Sequence, residues 1–383
     1  MLGVYVHIPY CRSLCPYCDF VKTRTDGSAP PGYVDALFQE MHATPLDQPV
    51  GSIFFGGGTP SLLTPDDLAR LLGAFARLYA LEAPEVTLEA NPDDITPALV
   101  QAWRDAGVNR VSLGVQSFDS HVLGYLGRRH DAADALRACE TVAAHCDNWN
   151  MDLIFGAQPV DTWGETLAQC RALAPPHVAA YGLTYEAGTP FGRRAHEALP
   201  DDAALALYQQ AEAALGEYMH YEISNFARPG MEARHNLIYW HNAPYAGFGC
   251  AAYSYLAGVR ARNHVDLAAY LAAPGEKCEA EHIGPAEERV ETVIQYLRLQ
   301  MGLSRDAYRH RFGSEVTEDF GPALTRLATR GLIMLDEEHV RPTAQGFYLN
   351  NEIGLELLDT FGDRPPMNSG TTSPAYTRLP FHS

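Results

Sequence analysis

Short apolar runs alternate with segments of helical periodicity over the first 225 residues of the chain. The apolar runs predict six β-strands, at Leu2–Ile8, Ser52–Phe55, Glu85–Ala90, Arg110–Val115, Asn150–Phe155 and Val178–Thr184. Between the second and third strands, Leu68, Leu71, Leu72 and Phe75 repeat at helical spacing. Strands that alternate with helices of this length are typical of a parallel α/β domain, in which this pattern alone does not separate an open sheet from a barrel.

Residues that favour helix ends support this assignment. Thr64 and Thr96 each stand before a proline, and Asp131 precedes a third helical segment. Hydroxyl and carboxylate side chains at these positions accept hydrogen bonds from free amides of the first turn, and proline suits the first helical position. Gly107 predicts a left-handed end to the second of these helices.

The pattern loosens after residue 185. Residues 201–219 predict an amphipathic helix, and residues 272–284 are rich in Pro, Gly and charge, which indicates a linker. The tail is rich in Pro, Ser and Thr and is predicted to be disordered. We therefore predict a core domain over 1–225, a barrel-closing extension and linker over 226–284, a small helical domain over 285–360 and a disordered tail over 361–383.

Composition narrows the functional classes. The 383 residues carry a net charge of −19, which argues against a general nucleic-acid binder, because such a protein needs a basic surface. No apolar run is long enough for an integral membrane segment, and the first residues do not form a signal peptide. Eight cysteines without an export signal predict a reducing, cytoplasmic location.

Three of these cysteines follow the first predicted strand within eight residues. Cys11, Cys15 and Cys18 have the spacing C-x3-C-x2-C. Thiolates at such spacing can converge on one soft metal centre, as in iron–sulfur proteins. A structural zinc site would require a fourth ligand, and no second cysteine pair lies nearby. A disulfide and buried free thiols remain as alternatives.

Distinctive residues mark four of the other predicted strands. A glycine triplet begins directly after the second strand, Glu89 and Asp152 lie within the third and fifth, and Gln116 directly follows the fourth. Because parallel strands present their carboxyl ends at one edge, we expect these residues to converge on one cavity. Consecutive glycines let a ligand approach closely, and their amides are expected to be free to bind a carboxylate.

Together, the cysteine loop and these residues resemble the radical S-adenosylmethionine (SAM) superfamily, in the branch of oxygen-independent coproporphyrinogen III oxidase and the heme chaperones. The resemblance implies an α/β fold, a partial (β/α)6 TIM-like barrel with a small, winged-helix-like C-terminal domain. It implies a [4Fe–4S] cluster on Cys11, Cys15 and Cys18. It also implies S-adenosyl-L-methionine binding by Tyr5, Tyr17, Gly57, Gly58, Thr59, Glu89, Gln116, Arg128, Asp152 and Gly182.

Two features favour the heme-chaperone branch. The oxidase pattern has a further cysteine where this chain has Phe20, and His235-Asn236-x-x-Tyr239-Trp240 resembles the HNxxYW element of heme chaperones. That resemblance implies b-type heme as cargo, with His235 on the iron and Tyr239 and Trp240 against the porphyrin. In the alternative interpretation His235 and Asn236 are loop residues that form hydrogen bonds with the backbone, while Tyr239 and Trp240 plug the barrel.

The sequence thus predicts a cytoplasmic heme chaperone that passes heme to acceptor proteins, respiratory ones by resemblance. The first alternative is an enzyme, coproporphyrinogen III oxidase, which uses the same cofactors in a radical decarboxylation. The second is an iron–sulfur binding module without radical chemistry. The sequence alone leaves open whether the protein is an enzyme.

Overall fold

Six parallel strands and the helices between them dominate the first part of the chain. The computed structural model describes residues 1–157 and 162–361. Its strands are β1 (Leu2–Ile8), β2 (Tyr10–Cys11), β3 (Thr23–Arg24), β4 (Val50–Gly57), β5 (Leu81–Ala90), β6 (Arg110–Gln116), β7 (Trp149–Phe155), β8 (His177–Gly182), β9 (Met219–Glu222), β10 (Asn225–Ala227), β11 (Tyr245–Phe248), β12 (Tyr253–Leu256), β13 (Val259–Asn263), β14 (Lys277–His282), β15 (Leu303–Ser304), β16 (Ile333–Leu335) and β17 (His339–Pro342).

Fourteen α-helices accompany these strands in the described ranges. They are α1 (Pro31–Ala43), α2 (Pro65–Leu78), α3 (Pro97–Ala106), α4 (Ser120–Tyr125), α5 (Ala132–His145), α6 (Trp163–Leu173), α7 (Asp201–Ala214), α8 (Arg234–Trp240), α9 (Leu267–Ala272), α10 (Pro285–Tyr296), α11 (Arg305–Phe312), α12 (Val316–Thr329), α13 (Ala344–Tyr348) and α14 (Asn350–Leu358).

The main sheet is the wall of a partial barrel. Its strand order is β14-β13-β12-β11-β1-β4-β5-β6-β7-β8-β10-β9. Strands β1, β4, β5, β6, β7 and β8 are parallel neighbours, and β11 extends the parallel part beside β1. Strands β12, β13 and β14 add antiparallel pairs at one end. The predicted α/β class and partial (β/α)6 barrel are confirmed.

The predicted strands and helix ends recur in this fold. Each of the six predicted strands overlaps a barrel strand, and the first coincides with β1. The side chains of Thr64, Thr96 and Asp131 cap α2, α3 and α5 by accepting backbone hydrogen bonds of 3.1, 3.2 and 2.8 Å. Gly107 ends α3 with φ +114°, in the left-handed region.

Apolar and polar side chains alternate along the barrel strands, so the sheet has an apolar face and a polar face. Val111, Leu113 and Val115 of β6 lie in the apolar core on the outer face of the sheet. Successive side chains of a strand point to opposite faces, so Arg110 and Ser112 face the interior. We call this interior the lumen, the carboxyl ends of the barrel strands its mouth, and their amino ends its floor.

The described residues divide into two compact units. The first comprises Met1–His220, Ser224–Tyr239 and Ala243–Ile283, and it contains the six barrel strands. The second comprises Tyr221–Ile223, Trp240–Asn242 and the residues from Gly284 onward. The core of the second unit is built from helices α10, α12 and α14, and its small sheet has the order β15-β17-β16.

One stretch differs from its prediction. The proposed linker over 272–284 contains β14, the edge strand of the main sheet. Five of its six residues are exposed, and the strand is held by pairing with β13 and by cross-strand contacts such as Arg262–Glu279 at 3.8 Å. A strand stabilised by pairing instead of burial leaves no hydrophobic pattern to detect.

Two other expectations concern the ends of elements and of the chain. The amphipathic helix expected over 201–219 ends at Ala214, and Met219 begins β9. The tail that was predicted to be disordered covers residues 361–383, and residues 362–383 lie outside the described residues. Within the described part of the chain, no helix has the length and apolar character needed to cross a bilayer.

Candidate functional site

The three clustered cysteines lie in a loop that β2 and β3 close at its base. The amide of Thr25 donates to the carbonyl of Cys11 over 2.9 Å, and the amide of Cys18 donates to the carbonyl of Cys15 over 3.4 Å. Cys11 is buried, whereas Cys15 and Cys18 are partly exposed. All eight cysteines of the chain are free thiols, so the disulfide alternative is wrong for this structure.

The environment of the loop affects its thiols unequally. Burial raises the pKa of Cys11 to about 11, although a hydrogen bond with Thr59 opposes the shift. Burial also raises the pKa of Cys18, against the charge of Lys22, whose ammonium donates to the Cys18 carbonyl. In the metal-free chain these two thiols therefore hold their protons, and binding a metal would release them.

The donor set fits a polynuclear iron–sulfur cluster better than a single ion. Among the described residues, no three His, Cys, Asp or Glu side chains are placed to hold one metal ion. A [4Fe–4S] cluster does not require that closeness, because each thiolate binds a different iron atom. Three soft thiol donors in one loop, without a fourth, suit such a cluster and leave one iron open to a ligand.

Arg128 connects the cysteine loop to the mouth of the barrel. One nitrogen of its guanidinium lies 3.8 Å from Cys15 Sγ and 3.5 Å from the Tyr17 hydroxyl. The other donates to Asn91 Oδ1 over 2.6 Å and to the Gly114 carbonyl over 2.8 Å. A single planar cation thus fixes the loop against the ends of β5 and β6.

Close packing shapes the glycine triplet at the end of β4. A Cβ at Gly57, which has φ +108°, would lie 2.4 Å from the His7 ring. A Cβ at Gly58 would lie 2.8 Å from the carbonyl oxygen of Ile8. The amide of Gly57 donates to Glu89 over 3.1 Å, and that of Gly58 donates to Ile8 over 2.8 Å. The expectation that these two amides are free to bind a ligand is therefore wrong.

Two lumen carboxylates have raised pKa values. Burial, reinforced by the charge of Asp152, raises the pKa of Glu89 to about 8. Burial also raises the pKa of Asp152 to about 6, while hydrogen bonds from Asn150 and Ser112 oppose the shift. Asn150 Nδ2 donates to Asp152 over 2.6 Å, and the Ser112 hydroxyl donates over 3.2 Å. Such a pair suits a ligand that brings positive charge, because the ligand then favours both ionised forms.

Gln116 ends β6 in a conformation that is uncommon for its residue type. Its φ is +67°, and a register irregularity lies between Gly114 and Gln116 where β6 pairs with β7. A Cβ at Gly114 would lie 3.0 Å from Gln116 Nε2 and 3.2 Å from Arg128. Backbone strain of this kind persists where the surroundings determine it, and it is often found at binding sites.

The other predicted SAM positions lie around the same mouth. The Tyr5 hydroxyl is 3.0 Å from His7 Nδ1, and burial, reinforced by the charges of Glu89 and Cys18, raises its pKa. The Thr59 hydroxyl accepts from Asn91 over 3.1 Å. Gly182 is the exposed last residue of β8. The structure therefore brings the predicted residues together at the strand ends, while SAM binding itself stays a prediction.

Some residues of this region were not predicted. A small cleft opens beside Cys15, and most of its lining was not predicted from the sequence. Asn91 and Asp94 follow β5, and Asp94 pairs with Arg12 of the cysteine loop and accepts from Ser61 over 2.7 Å. The sequence signal was the polar run after Glu89, which continues the strand-end pattern by a few residues. The cleft is lined by Arg12, Ser13, Cys15, Thr59, Asn91, Asp93, Asp94, Gly127, Arg128 and Arg129.

The structure does not support His235 as an iron ligand. Its side chain is 2% exposed, and its Nδ1 and Nε2 lie 2.8 Å from Ser52 Oγ and 2.9 Å from the Tyr239 hydroxyl. The ring stacks on Phe54 at 5.0 Å, and its amide donates to Glu85 over 3.2 Å. Because both ring nitrogens are engaged, neither has a free lone pair for a metal in this conformation.

Tyr239 and Trp240 are also enclosed. Tyr239 is 4% exposed and packs edge-on against Tyr245, with ring centroids 4.7 Å apart. Trp240 is 2% exposed, and the guanidinium of Arg298 lies 4.4 Å from the centre of its ring. In this conformation neither ring offers a face to a porphyrin, so the contact stays a prediction. In contrast, the neighbouring His241 is exposed.

Comparison with known proteins agrees with this architecture. Residues 5–169 match the pattern of the Radical SAM superfamily, and residues 283–349 match that of the HemN C-terminal domain. The fold is similar to that of coproporphyrinogen III oxidase (HemN) from Escherichia coli, with a TM-score of 0.80 and 23% identity over 93% of this chain and 89% of that one. The fold and the cysteine loop thus define a radical SAM protein.

Two relatives narrow the assignment. The heme chaperone HemW of Lactococcus lactis subsp. lactis is 34% identical over 368 residues, which cover 93% of this chain and 97% of that protein. The heme chaperone HemW of Escherichia coli is 40% identical over 264 residues, which cover 66% of this chain and 69% of that protein. Within the radical SAM superfamily, the chain belongs to the heme chaperone HemW family.

Proposed function

We propose that the protein is a heme chaperone that carries a [4Fe–4S] cluster and SAM, binds heme as cargo and delivers it to acceptor proteins in the cytoplasm. The observation that carries this proposal is the similarity to a protein named heme chaperone HemW over 97% of that protein's length. Phe20 supports it, because the oxidase pattern has a cysteine at this position.

The arrangement of the site suggests which residues would bind each cofactor. Cys11, Cys15 and Cys18 would hold the cluster, which supplies an iron atom open to the amino and carboxylate groups of SAM. Glu89 and Asp152 would receive the positively charged and hydroxyl-bearing parts of SAM. The strained Gln116, together with Arg128, would fix the shape of this cavity.

Heme, the proposed cargo, would bind away from the floor of the barrel, where His235 is enclosed. His235 has no free ring nitrogen, whereas His241 is exposed and lies 5.1 Å, between ring centroids, from Tyr296. A neutral, accessible imidazole beside an aromatic ring has the chemistry that an axial heme ligand needs. His241 is therefore our candidate for contacting the iron.

The second candidate function is coproporphyrinogen III oxidation. It is kept because the cysteines and lumen residues proposed here for the cluster and SAM are also those that a radical decarboxylation would need. Anaerobic incubation of the reconstituted protein with heme, and separately with coproporphyrinogen III, tests the two functions against each other. Heme binding without coproporphyrinogen turnover supports the chaperone.

A further inference from the structure

An arginine is buried on the lumen side of the barrel. Arg110 is the first residue of β6, and it is only 2% exposed. Its guanidinium Nε is enclosed and has no hydrogen-bond partner among residues 1–157 and 162–361. Buried arginines are normally paired, because a desolvated cation without a partner is costly.

A second unsatisfied group lies beside it. Thr87 of β5 is the register partner of Arg110, so both side chains face the lumen. Thr87 is fully buried, and its hydroxyl has no hydrogen-bond partner among the described residues. Two neighbouring donors are therefore directed toward the same part of the lumen.

The other polar groups nearby do not satisfy them. Asn150 Nδ2 is engaged by Ser112 and Asp152 at 2.7 and 2.6 Å, and Asn150 Oδ1 lies 2.6 Å from His177. Burial raises the pKa of Glu89 and of Asp152, and the charge of Arg110 opposes both shifts, so the two carboxyls are within electrostatic range of Arg110. Neither carboxylate contacts the guanidinium.

The lumen above this pair is open to solvent from one end. Tyr5, Phe54, Glu89 and Asp152 face the lumen and are each partly exposed, although they lie on central strands. At the other end, His235 is packed between Ser52 and Phe54 and closes the floor. Among the described residues, this partial exposure points to an approach to Arg110 from the mouth, past the two carboxylates.

We propose that Arg110 and Thr87 form the anion-binding end of a small-molecule site in the lumen, which takes a compound bearing a carboxylate or a similar oxyanion. A guanidinium offers a planar pair of donors to such a group, and the threonine hydroxyl adds a third. This site lies below the mouth and is separate from the heme cargo, so it is independent of the proposed chaperone function. Ordered water on both groups is the competing explanation.

Acetate is the probe that separates these explanations. Thermal unfolding of the full chain is followed during an acetate titration, for wild type, Arg110→Met, Arg110→Lys, Thr87→Val and the exposed control Arg77→Met. We expect a saturable rise in Tm of roughly 2–4 °C in wild type and in Arg77→Met. The rise should be absent in Arg110→Met and smaller in Arg110→Lys and Thr87→Val.

Two results would overturn the proposal. One is an acetate response in Arg110→Met equal to that of wild type, or, where that variant does not fold, an unchanged response in Thr87→Val. The other is a crystal soaked in bromide that shows only water at Arg110. A bromide anomalous peak within hydrogen-bond distance of Arg110 and Thr87, together with the acetate shift, supports the site.

Discussion

The amide of Gly57 donates a hydrogen bond to Oε2 of Glu89 over 3.1 Å, and this bond joins two neighbouring strands at the mouth of the barrel. It leaves the second oxygen of Glu89 for a ligand. Because burial and the charge of Asp152 raise the pKa of Glu89 to about 8, much of this carboxyl is protonated at neutral pH. A cationic ligand must therefore displace a proton in order to bind.

SAM affinity should consequently increase with pH. We expect the dissociation constant to fall by up to about tenfold per unit between about pH 6 and pH 8, and then to level off. Calorimetry in buffers of different ionisation enthalpy measures both the affinity and the released proton. In Glu89→Gln the affinity for SAM should be weak, and it should change little with pH. A wild-type affinity that does not change with pH would contradict the role of Glu89.

The same pKa shift makes the ligand-free protein less stable at high pH. Since the folded pKa is raised from 4.5 to about 8, the contribution of protonated Glu89 is complete below about pH 4.5 and is lost as the pH rises through 8. Glu89→Gln stays neutral throughout. Its Tm should therefore fall less than that of wild type between about pH 6 and pH 9.

The cysteine loop should account for the iron of the protein. Replacing Cys11, Cys15 or Cys18 by Ala should remove most of the iron and the brown absorbance, because three thiolates have no spare ligand. Iron analysis after anaerobic reconstitution measures this. Cys278→Ala is the matched control, since Cys278 is an exposed thiol outside the loop. Normal reconstitution of the triple variant would show that the ligands lie elsewhere.

Gly114 should matter for SAM binding even though it offers no side chain. In Gly114→Ala the new methyl group meets Gln116 and Arg128 at 3.0 and 3.2 Å and must displace them. We expect SAM binding to weaken by roughly 1–3 kcal/mol, the cost of leaving a buried polar partner unpaired. Gly124→Ala in α4 is the control, because nothing lies within 4 Å of its Cβ position. Equal affinity in the two variants would refute the arrangement at the end of β6.

His235 should stabilise the fold and leave heme affinity unaffected. His235→Ala removes bonds to Ser52 and Tyr239 and should destabilise the protein by roughly 1–3 kcal/mol. Denaturant unfolding measures this loss, and a heme titration followed through the Soret band measures affinity. His241→Ala should show the opposite pattern, with weaker heme binding and unchanged stability. Loss of heme affinity in His235→Ala alone would restore the original assignment.

The barrel and its mouth could be predicted from local pattern. The alternation of apolar residues marks the strands, and Glu89, Gln116 and Asp152 stand out because polar residues interrupt apolar runs near the strand ends. The caps Thr64 and Asp131 are local as well, since each bonds to a residue three positions away. Information within a few residues was sufficient for these features.

Features that depend on distant contacts could not be predicted. His235 is sealed by Ser52, which is 183 positions away in the chain, so its motif alone does not reveal that its ring nitrogens are engaged. Arg110 was recognised only as the start of a strand, because nothing local indicates that it lacks a partner. The edge strand β14 is polar and exists through pairing with β13.

We expect the protein to carry heme and to leave coproporphyrinogen unoxidised. The most direct test is an anaerobic assay of the reconstituted, reduced protein with SAM, in which one sample receives heme and another receives coproporphyrinogen III. We predict a shifted Soret band that saturates with heme, and unchanged coproporphyrinogen. Absence of heme binding, together with conversion of coproporphyrinogen to its divinyl product, would contradict the account.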